Sequence, residues 1–445
     1  MKLKATINAL VLFAALATSA AQAAAEEIDL ASYLRRVEGN NQALDIARNE
    51  VAQTEATKRQ ALAGLLPNAG LRVGYTRNLK EIEQPVASYA TSSAIPGVYP
   101  VTYTDQVVSY KNELDLAAAV NFNIYDAASV SRYKQASEGL EARRTGYDYQ
   151  RKAVLNGAKK LYYQALLMDE VVKVRESSEK IAKESYDSAQ AKFKAGLTTE
   201  LEALMAEVAW KEKAPETAEA KRNREIVLLN LKQLAAIPSD AEVALTESLE
   251  KYPEPPSKLG LDGILSARSD YTLLLQQKSL SKLSIAVARD AYLPTLSGSF
   301  AIADQGFADD FGFNDYKSLA VQFGLKATLP LYTGGYREAK LAEERIGLAI
   351  SDIRIAQKQE SIENELTSVD LRLQEAKARI ESVKSVVDVA QRAYDRAANA
   401  FKSGVATQLQ LNQATVGLEG SRLQYLSAVY DYLSAYFDWE MSVGR

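Results

Sequence analysis

Aspartate and glutamate are the acid–base groups this chain has to work with: 57 of them, beside 53 Lys and Arg and no His or Cys. Without imidazole or thiol there is no Ser-His-Asp or Cys-His nucleophile, no Cys/His zinc site, no haem ligation by those residues and no disulfide. No paired-carboxylate pattern stands out either, so the sequence reads as no enzyme, with no catalytic residue, no cofactor site and no metal site. What does recur is a conformational spacing, F-x-x-G-x-x-T. It occurs as Phe193, Gly196 and Thr199, and again as Phe401, Gly404 and Thr407, with Leu197 and Val405 directly after the glycines. Glycine just past a basic last turn ends a helix, and a threonine three residues on can cap the next one. Each segment therefore reads as a tight turn between antiparallel helices.

Stepping from these turns to the elements that carry them, the chain is written twice. Residues 182–204 and 390–412 match without gaps at nine of 23 positions. Leu66-Pro67 is matched by Leu293-Pro294, and Ile124-Tyr125-Asp126-Ala127 by Leu331-Tyr332-Thr333-Gly334. A period near 200 residues is far longer than a solenoid repeat and implies a duplicated half-molecule. The expected organisation is a segment at 1–23, a first repeat at 24–236 with a strand hairpin at 69–125, a connector at 237–260, and a second repeat at 261–445 with a hairpin at 295–331.

The first 23 residues set the compartment. Lys2 and Lys4 precede an apolar run from Ala9 to Ala17 and a small-residue flank, Ala21-Gln22-Ala23. That is the layout of a secretory signal peptide. No later stretch approaches the ~20 apolar residues of a transmembrane helix. The net charge of -4 argues against a nucleic-acid partner. The mature protein is thus expected in the periplasm, outside the cell, or in an outer membrane as a β-barrel.

Four segments alternate with period two: Leu71, Val73 and Tyr75; Leu114 to Ile124; Leu296 to Ile302; and Leu319 to Leu331. Strands with one apolar and one polar face suit either a half-buried sheet or a lipid-facing barrel wall, and the signal peptide with the ~10-residue length favours the barrel. Four strands cannot close a barrel, and open edges do not survive in lipid. Several chains must therefore share one. Two would give eight strands and a filled interior, three would give twelve and a channel.

The remainder is helix. Residues 127–194 and 335–402 are proline-free, each long enough for ~100 Å of helix. In the second, Leu373, Ala376, Ile380, Val383, Val387, Ala390, Tyr394, Ala397 and Phe401 follow a 3,4 spacing that predicts a coiled-coil seam. The first is looser, with Arg175 and Glu179 where Val383 and Val387 stand in the second. Return helices are expected at about 199–236 and 407–439, with a kink or restart at Pro215. The proline-rich connector holds one short strand near Val243–Thr246, and helices at 261–267 and 271–291 follow it.

In duplicate and in this order, helix, Leu-Pro, two strands, long helix, F-x-x-G turn and return helix resemble the TolC-type outer membrane efflux proteins over essentially residues 24–445. The resemblance implies a mainly α chain with a transmembrane β part, four strands per chain in a shared 12-stranded barrel of a homotrimer, and antiparallel coiled-coil helices forming a periplasmic tunnel. It implies outer membrane lipids around the barrel. It also implies a periplasmic adaptor docked on the tips (Phe193, Gly196, Leu197, Thr199, Phe401, Gly404, Val405, Thr407) and an inner-membrane pump, proton-driven or ABC. The lumen would be lined by Arg72, Glu113, Asp115, Asn121, Asn123, Gln322 and Lys326. The chain departs from the family's best-known pattern at the periplasmic entrance. Two aspartates expected after the second tip turn are Gln410 and Gln413 here, and Glu202 after the first turn is the candidate for a charged ring. A different class of reading, a periplasmic coiled-coil scaffold without a pore, explains the helices but not two matched pairs of amphipathic strands.

Overall fold

A computed structural model describes residues 26–80, 82–91, 95–256, 259–312 and 316–445. The expected signal peptide at 1–23 lies outside the described residues. In chain order the elements are β1 (Glu26–Ile28), α1 (Leu30–Asn40), α2 (Gln42–Ala63), β2 (Asn68–Arg77), β3 (Glu83–Tyr89), β4 (Val101–Val107), β5 (Asn112–Tyr125), α3 (Ala127–Lys194), α4 (Glu200–Leu234), β6 (Val243–Leu245), α5 (Leu261–Ala267), α6 (Ser269–Asp290), β7 (Thr295–Ala308), β8 (Tyr316–Thr328), α7 (Tyr336–Lys402) and α8 (Gln408–Ser442). They gather into two compact units. One runs to Val51 and continues through Arg143–Leu275 and Arg354–Arg445; the other holds Ala52–Ala142 and Gln276–Ile353. Both units draw on both sequence repeats.

The second unit is built on an antiparallel sheet of order β2-β5-β7-β8. One hairpin from each repeat contributes two strands, joined where β5 meets β7 along thirteen paired positions. β2 and β8 are left as open edges within the chain. Gly298 faces Phe122 across the β5–β7 pair, and a Cβ at Gly298 would stand 2.4 Å from the ring, so the aromatic lies over bare backbone. Two strand ends differ from expectation. β7 runs on past Ile302 to Ala308, because its pairing with β5 and β8 continues. β8 stops at Thr328, short of Leu331. Pro330 has no N–H to give a ladder. A further hairpin, β3 with β4, lies between β2 and β5, inside the segment 69–125 expected as a single strand hairpin.

The first unit is helical. The 3,4 seam of α7 is where its spacing puts it: Leu373, Ile380 and Phe401 are buried, and the other six seam residues are half-buried. Around it, tyrosines fill the core with their hydroxyls satisfied. Tyr33 Oη donates to the Leu231 carbonyl (3.3 Å), Tyr162 Oη to Ile28 (2.8 Å) and Tyr432 Oη to Pro253 (2.7 Å). A buried Tyr needs such a partner, and with one it contributes its full ring area to the core. β1 pairs in parallel with β6, which ties the chain entry to the connector. α4 continues unbroken through Pro215, so the restart expected there does not occur. Proline removes one i→i−4 donor. Beside it, Lys213 is anchored to Glu419 on α8 and Thr217 Oγ1 donates to the Arg175 carbonyl on α3 (3.4 Å), so other helices hold α4 on both sides of the gap.

Candidate functional site

The sheet register decides which side chains share a face. Arg72 pairs with Ala117, Ala117 with Ala303 and Ala303 with Ala320. Counting by two from that row puts Arg72, Glu113, Asp115, Asn121, Asn123, Gln322 and Lys326 all on one side. This polar side is cross-linked by its own groups. Gln305 Nε2 donates to Asp115 Oδ1 (2.7 Å), Asn78 Nδ2 to Glu113 Oε1 (2.7 Å) and Asn123 Nδ2 to the Gly64 carbonyl (3.0 Å). Near Lys326 the face opens into a groove of about 410 Å³ shared with Asn68, Ser297 and Ser299. Gln305 and Asn68 were not singled out from sequence. Gln305 lies in the part of β7 beyond the expected strand, and Asn68 directly after the Leu-Pro start.

The opposite side carries Leu71, Val73, Leu116, Val120, Phe300, Val321 and Phe323. It is bare: Leu71 is 72% and Phe323 65% exposed. A soluble sheet buries its apolar face, whereas a barrel wall turns it to lipid and keeps the polar face for water.

At the tips, the two F-x-x-G turns have the same backbone. Leu197 N donates to the Lys192 carbonyl and Gly196 N to Phe193 (both 2.9 Å). Val405 N donates to Ala400 (2.9 Å) and Gly404 N to Phe401 (3.2 Å). This is the Schellman pair of bonds, and Gly196 and Gly404 take the left-handed conformation it needs, φ +71° and +76°. Thr199 and Thr407 then cap α4 and α8 through the Glu202 and Gln410 N–H groups (3.3 Å each). Side chains diverge where backbones agree. Phe401 is 9% exposed beneath Lys192, whose Nζ sits 4.2 Å from the ring centre and donates to the Phe401 carbonyl; Phe193 is 38% exposed. Leu197 and Val405 stand almost free in solvent. A cleft of about 260 Å³ lies between the turns, lined by Lys192, Thr198, Glu202 and Phe401 among others.

The entrance candidates differ in how committed they are. Gln410 Oε1 accepts from Thr407 N (2.9 Å), completing a capping box. Glu202 accepts from Thr198 Oγ1 at the start of α4. Gln413 is exposed.

Above the tips is a charged group the sequence reading did not assemble. Glu419 on α8 is 5% exposed; Lys213 Nζ reaches it at 2.8 Å, Ser178 Oγ at 2.7 Å, and Arg175 pairs with it and with Glu216. Burial pushes the Glu419 carboxyl up, but the bonds from Lys213 and Ser178 and the charges of Lys213 and Arg175 outweigh it, and its pKa lies below the ordinary value. The available signal was Arg175, a cation at a seam position.

Among the described residues no cluster of carboxylates is placed to hold a metal ion, and no helix is long and apolar enough to cross a membrane. A strand wall with lipid-type and water-type faces, in one chain with coiled-coil helices, defines a subunit of an outer-membrane pore. The family model described as outer membrane efflux protein matches residues 33–236 and 276–439, and the chain belongs to that family. The pyoverdine export outer membrane protein OpmQ of Pseudomonas aeruginosa is 24% identical over 426 residues, 91% of this chain and 85% of its own. The outer membrane protein VceC of Vibrio cholerae superposes with a TM-score of 0.72 at 17% identity, covering 93% of this chain and 96% of its own. The CmeC outer membrane channel of Campylobacter jejuni gives 0.75 at 18%, covering 93% and 85%. The protein resides in the outer membrane with its helical part in the periplasm, and its four strands form one third of a twelve-stranded barrel in a trimer. The open edges of β2 and β8 are the edges that such closure pairs.

Proposed function

We propose that this chain is the exit duct of a tripartite efflux or type I secretion assembly, a passive channel that makes and breaks no bond. The observation that carries this is the two-faced sheet, with a bare apolar side and a hydrogen-bonded polar side holding Arg72, Glu113, Asp115, Asn121, Asn123, Gln322 and Lys326. Cargo crosses past that polar lining. The helix tips dock a periplasmic adaptor: Leu197 and Val405 supply exposed apolar anchors beside the cleft, and Gly196 and Gly404 hold the turns in the shape that presents them. The adaptor links the duct to an inner-membrane pump, proton-driven or ABC, which selects the cargo. At the entrance, Gln410, Gln413 and Glu202 line the constriction, so an amide-rich ring stands where a carboxylate ring would bind cations more strongly.

Planar-bilayer recording on the purified trimer tests the duct: stepwise single-channel conductance is expected. A soluble monomer that conducts nothing would instead favour the poreless scaffold.

A further inference from the structure

β3 and β4 form a ribbon that grows from the end of the barrel sheet. Asn78 N donates to the Lys111 carbonyl and Val108 N to Ile82 (both 2.9 Å), so the pairing of β2 with β5 passes into that of β3 with β4. Every residue of both ribbon strands is exposed. A two-stranded ribbon alone in water is marginally stable at best. The register sorts its side chains. Pro85, Ala87, Tyr89, Val101, Tyr103 and Val107 share one face, with Glu83 and Asp105 towards its base; Gln84, Ser88, Thr102, Thr104 and Gln106 share the other with Val86. The ribbon is therefore amphipathic, and its aromatic face is uncovered, Tyr89 at 69% and Tyr103 at 71%.

Among the described residues, the chain's own loop after β7 does not supply the cover. It is acidic at Asp309 and Asp310, and Asn112 Nδ2 ties it down by donating to the carbonyls of Ala308 (3.3 Å), Asp309 (3.2 Å) and Asp310 (3.1 Å). What lies next to the ribbon is another copy. β3 continues β2, and β2 is an edge strand at the seam between copies of the trimeric barrel. We propose that the Tyr89–Val101–Tyr103 face of each ribbon is covered by the same face of the neighbouring copies, making a second contact of the trimer above the barrel. This rests on the shared barrel, and a threefold axis brings three identical faces together.

The absence of cysteine from the chain makes the test clean. Tyr103→Cys and, on the opposite face, Thr104→Cys are expressed as full chains in outer membranes and treated with a short bis-maleimide. The expected result is a shift of Tyr103→Cys from monomer to linked dimer on a denaturing gel, while Thr104→Cys stays monomeric and reacts fully with a water-soluble maleimide. Tyr103→Cys reacting as freely as Thr104→Cys would mean a solvated ribbon and overturn the proposal. Protection from the maleimide without linked dimers would mean cover by lipid and overturn it as well. Heat-modifiable trimer in each sample reads the barrel itself, so loss of the barrel is distinguished from a free ribbon. Val101→Cys repeats the measurement should Tyr103→Cys fail to assemble, and the same outcomes apply.

Discussion

Lys213 and Glu419 belong to the return helices of different repeats, yet Lys213 Nζ stands 2.8 Å from a carboxylate that is almost wholly buried. With Arg175 on α3 this fastens three helices at one point. Burying the charge is unfavourable in itself, and the cations with Ser178 offset that. Removing Glu419 leaves Lys213 and Arg175 with Glu216 alone. Glu419→Ala is expected to cost about 3 kcal/mol, the lower end for breaking a buried pair because Lys213 and Arg175 retain Glu216. Glu419→Gln should cost less, since the amide still accepts one bond. The melting temperature of the detergent-solubilised trimer checks this, and an unchanged value for Glu419→Ala would refute it.

A second buried ion group gives a pH signature. Arg268 holds Asp270 through two bonds (2.9 and 2.8 Å), and Lys358 Nζ adds a contact at 2.7 Å. Burial raises the Asp270 pKa, but these partners more than reverse it and bring it to about 2. A carboxyl near 3.9 when unfolded and about 2 when folded contributes roughly 2 kcal/mol that is fully present above pH 4. That contribution is lost as pH falls from 4 towards 2. The stability difference between wild type and Asp270→Asn should be constant from pH 7 to 5 and shrink below pH 4. A difference that grows on acidification would sink the assignment.

Much of this architecture was legible because it repeats locally. The seam from Leu373 to Phe401 is set by helical period, and the faces of β2, β5 and β8 by period two, so spacing alone places them. β3 and β4 escaped because each is seven residues long, one carries Pro85, and neither meets a core that would sharpen the alternation. The Pro215 restart failed because tertiary contacts of Lys213 with Glu419 and of Thr217 with the Arg175 carbonyl outweigh the missing N–H. Of the candidate site, the seven polar sheet residues do share a face. The Glu419 group was invisible because Glu419 stands 206 to 244 residues from Lys213, Ser178 and Arg175, and only the fold brings them together.

Which face of the sheet meets lipid has a direct energetic test. Phe323 and Gln322 are neighbours mid-strand on opposite sides. Phe323→Lys should destabilise the barrel by about 2–4 kcal/mol, the cost of a cation on a lipid face near the midplane. Gln322→Lys should change stability by less than about 0.5 kcal/mol and shift ion selectivity towards anions. Urea titration of trimers in lipid bilayers measures the first and reversal potentials the second. Equal penalties at both positions would contradict the two-faced wall.

The tip turns can be separated from assembly. At φ +76° Gly404 occupies a region that costs a side chain about 1–2 kcal/mol, more for a β-branched one. Gly404→Val should therefore distort the turn that presents Val405 while leaving the sheet, which belongs to the other unit, intact. Adaptor binding is expected to weaken about tenfold, the equivalent of that strain. Export should fall with trimer yield unchanged. Normal export from this variant would remove the tips from the docking role.

At the entrance, charge and capping can be varied independently because of what Gln410 does. Gln410→Ala would break both the ring and the capping box, so a change in conductance would have two causes. Glutamate serves the box as well as glutamine does, and a negative charge in the first turn of α8 is favoured by the helix dipole. Gln410→Glu should thus leave the unfolding free energy within about 0.5 kcal/mol of wild type while installing three carboxylates in the trimer. If Gln410 faces the constriction, cation selectivity rises, and added divalent cations block a current that they leave untouched in wild type. If selectivity and block both match wild type, Gln410 is a helix cap and nothing more. The gate then falls to Gln413 and Glu202, and paired replacement of those two should change closed-state conductance where Gln410→Glu does not.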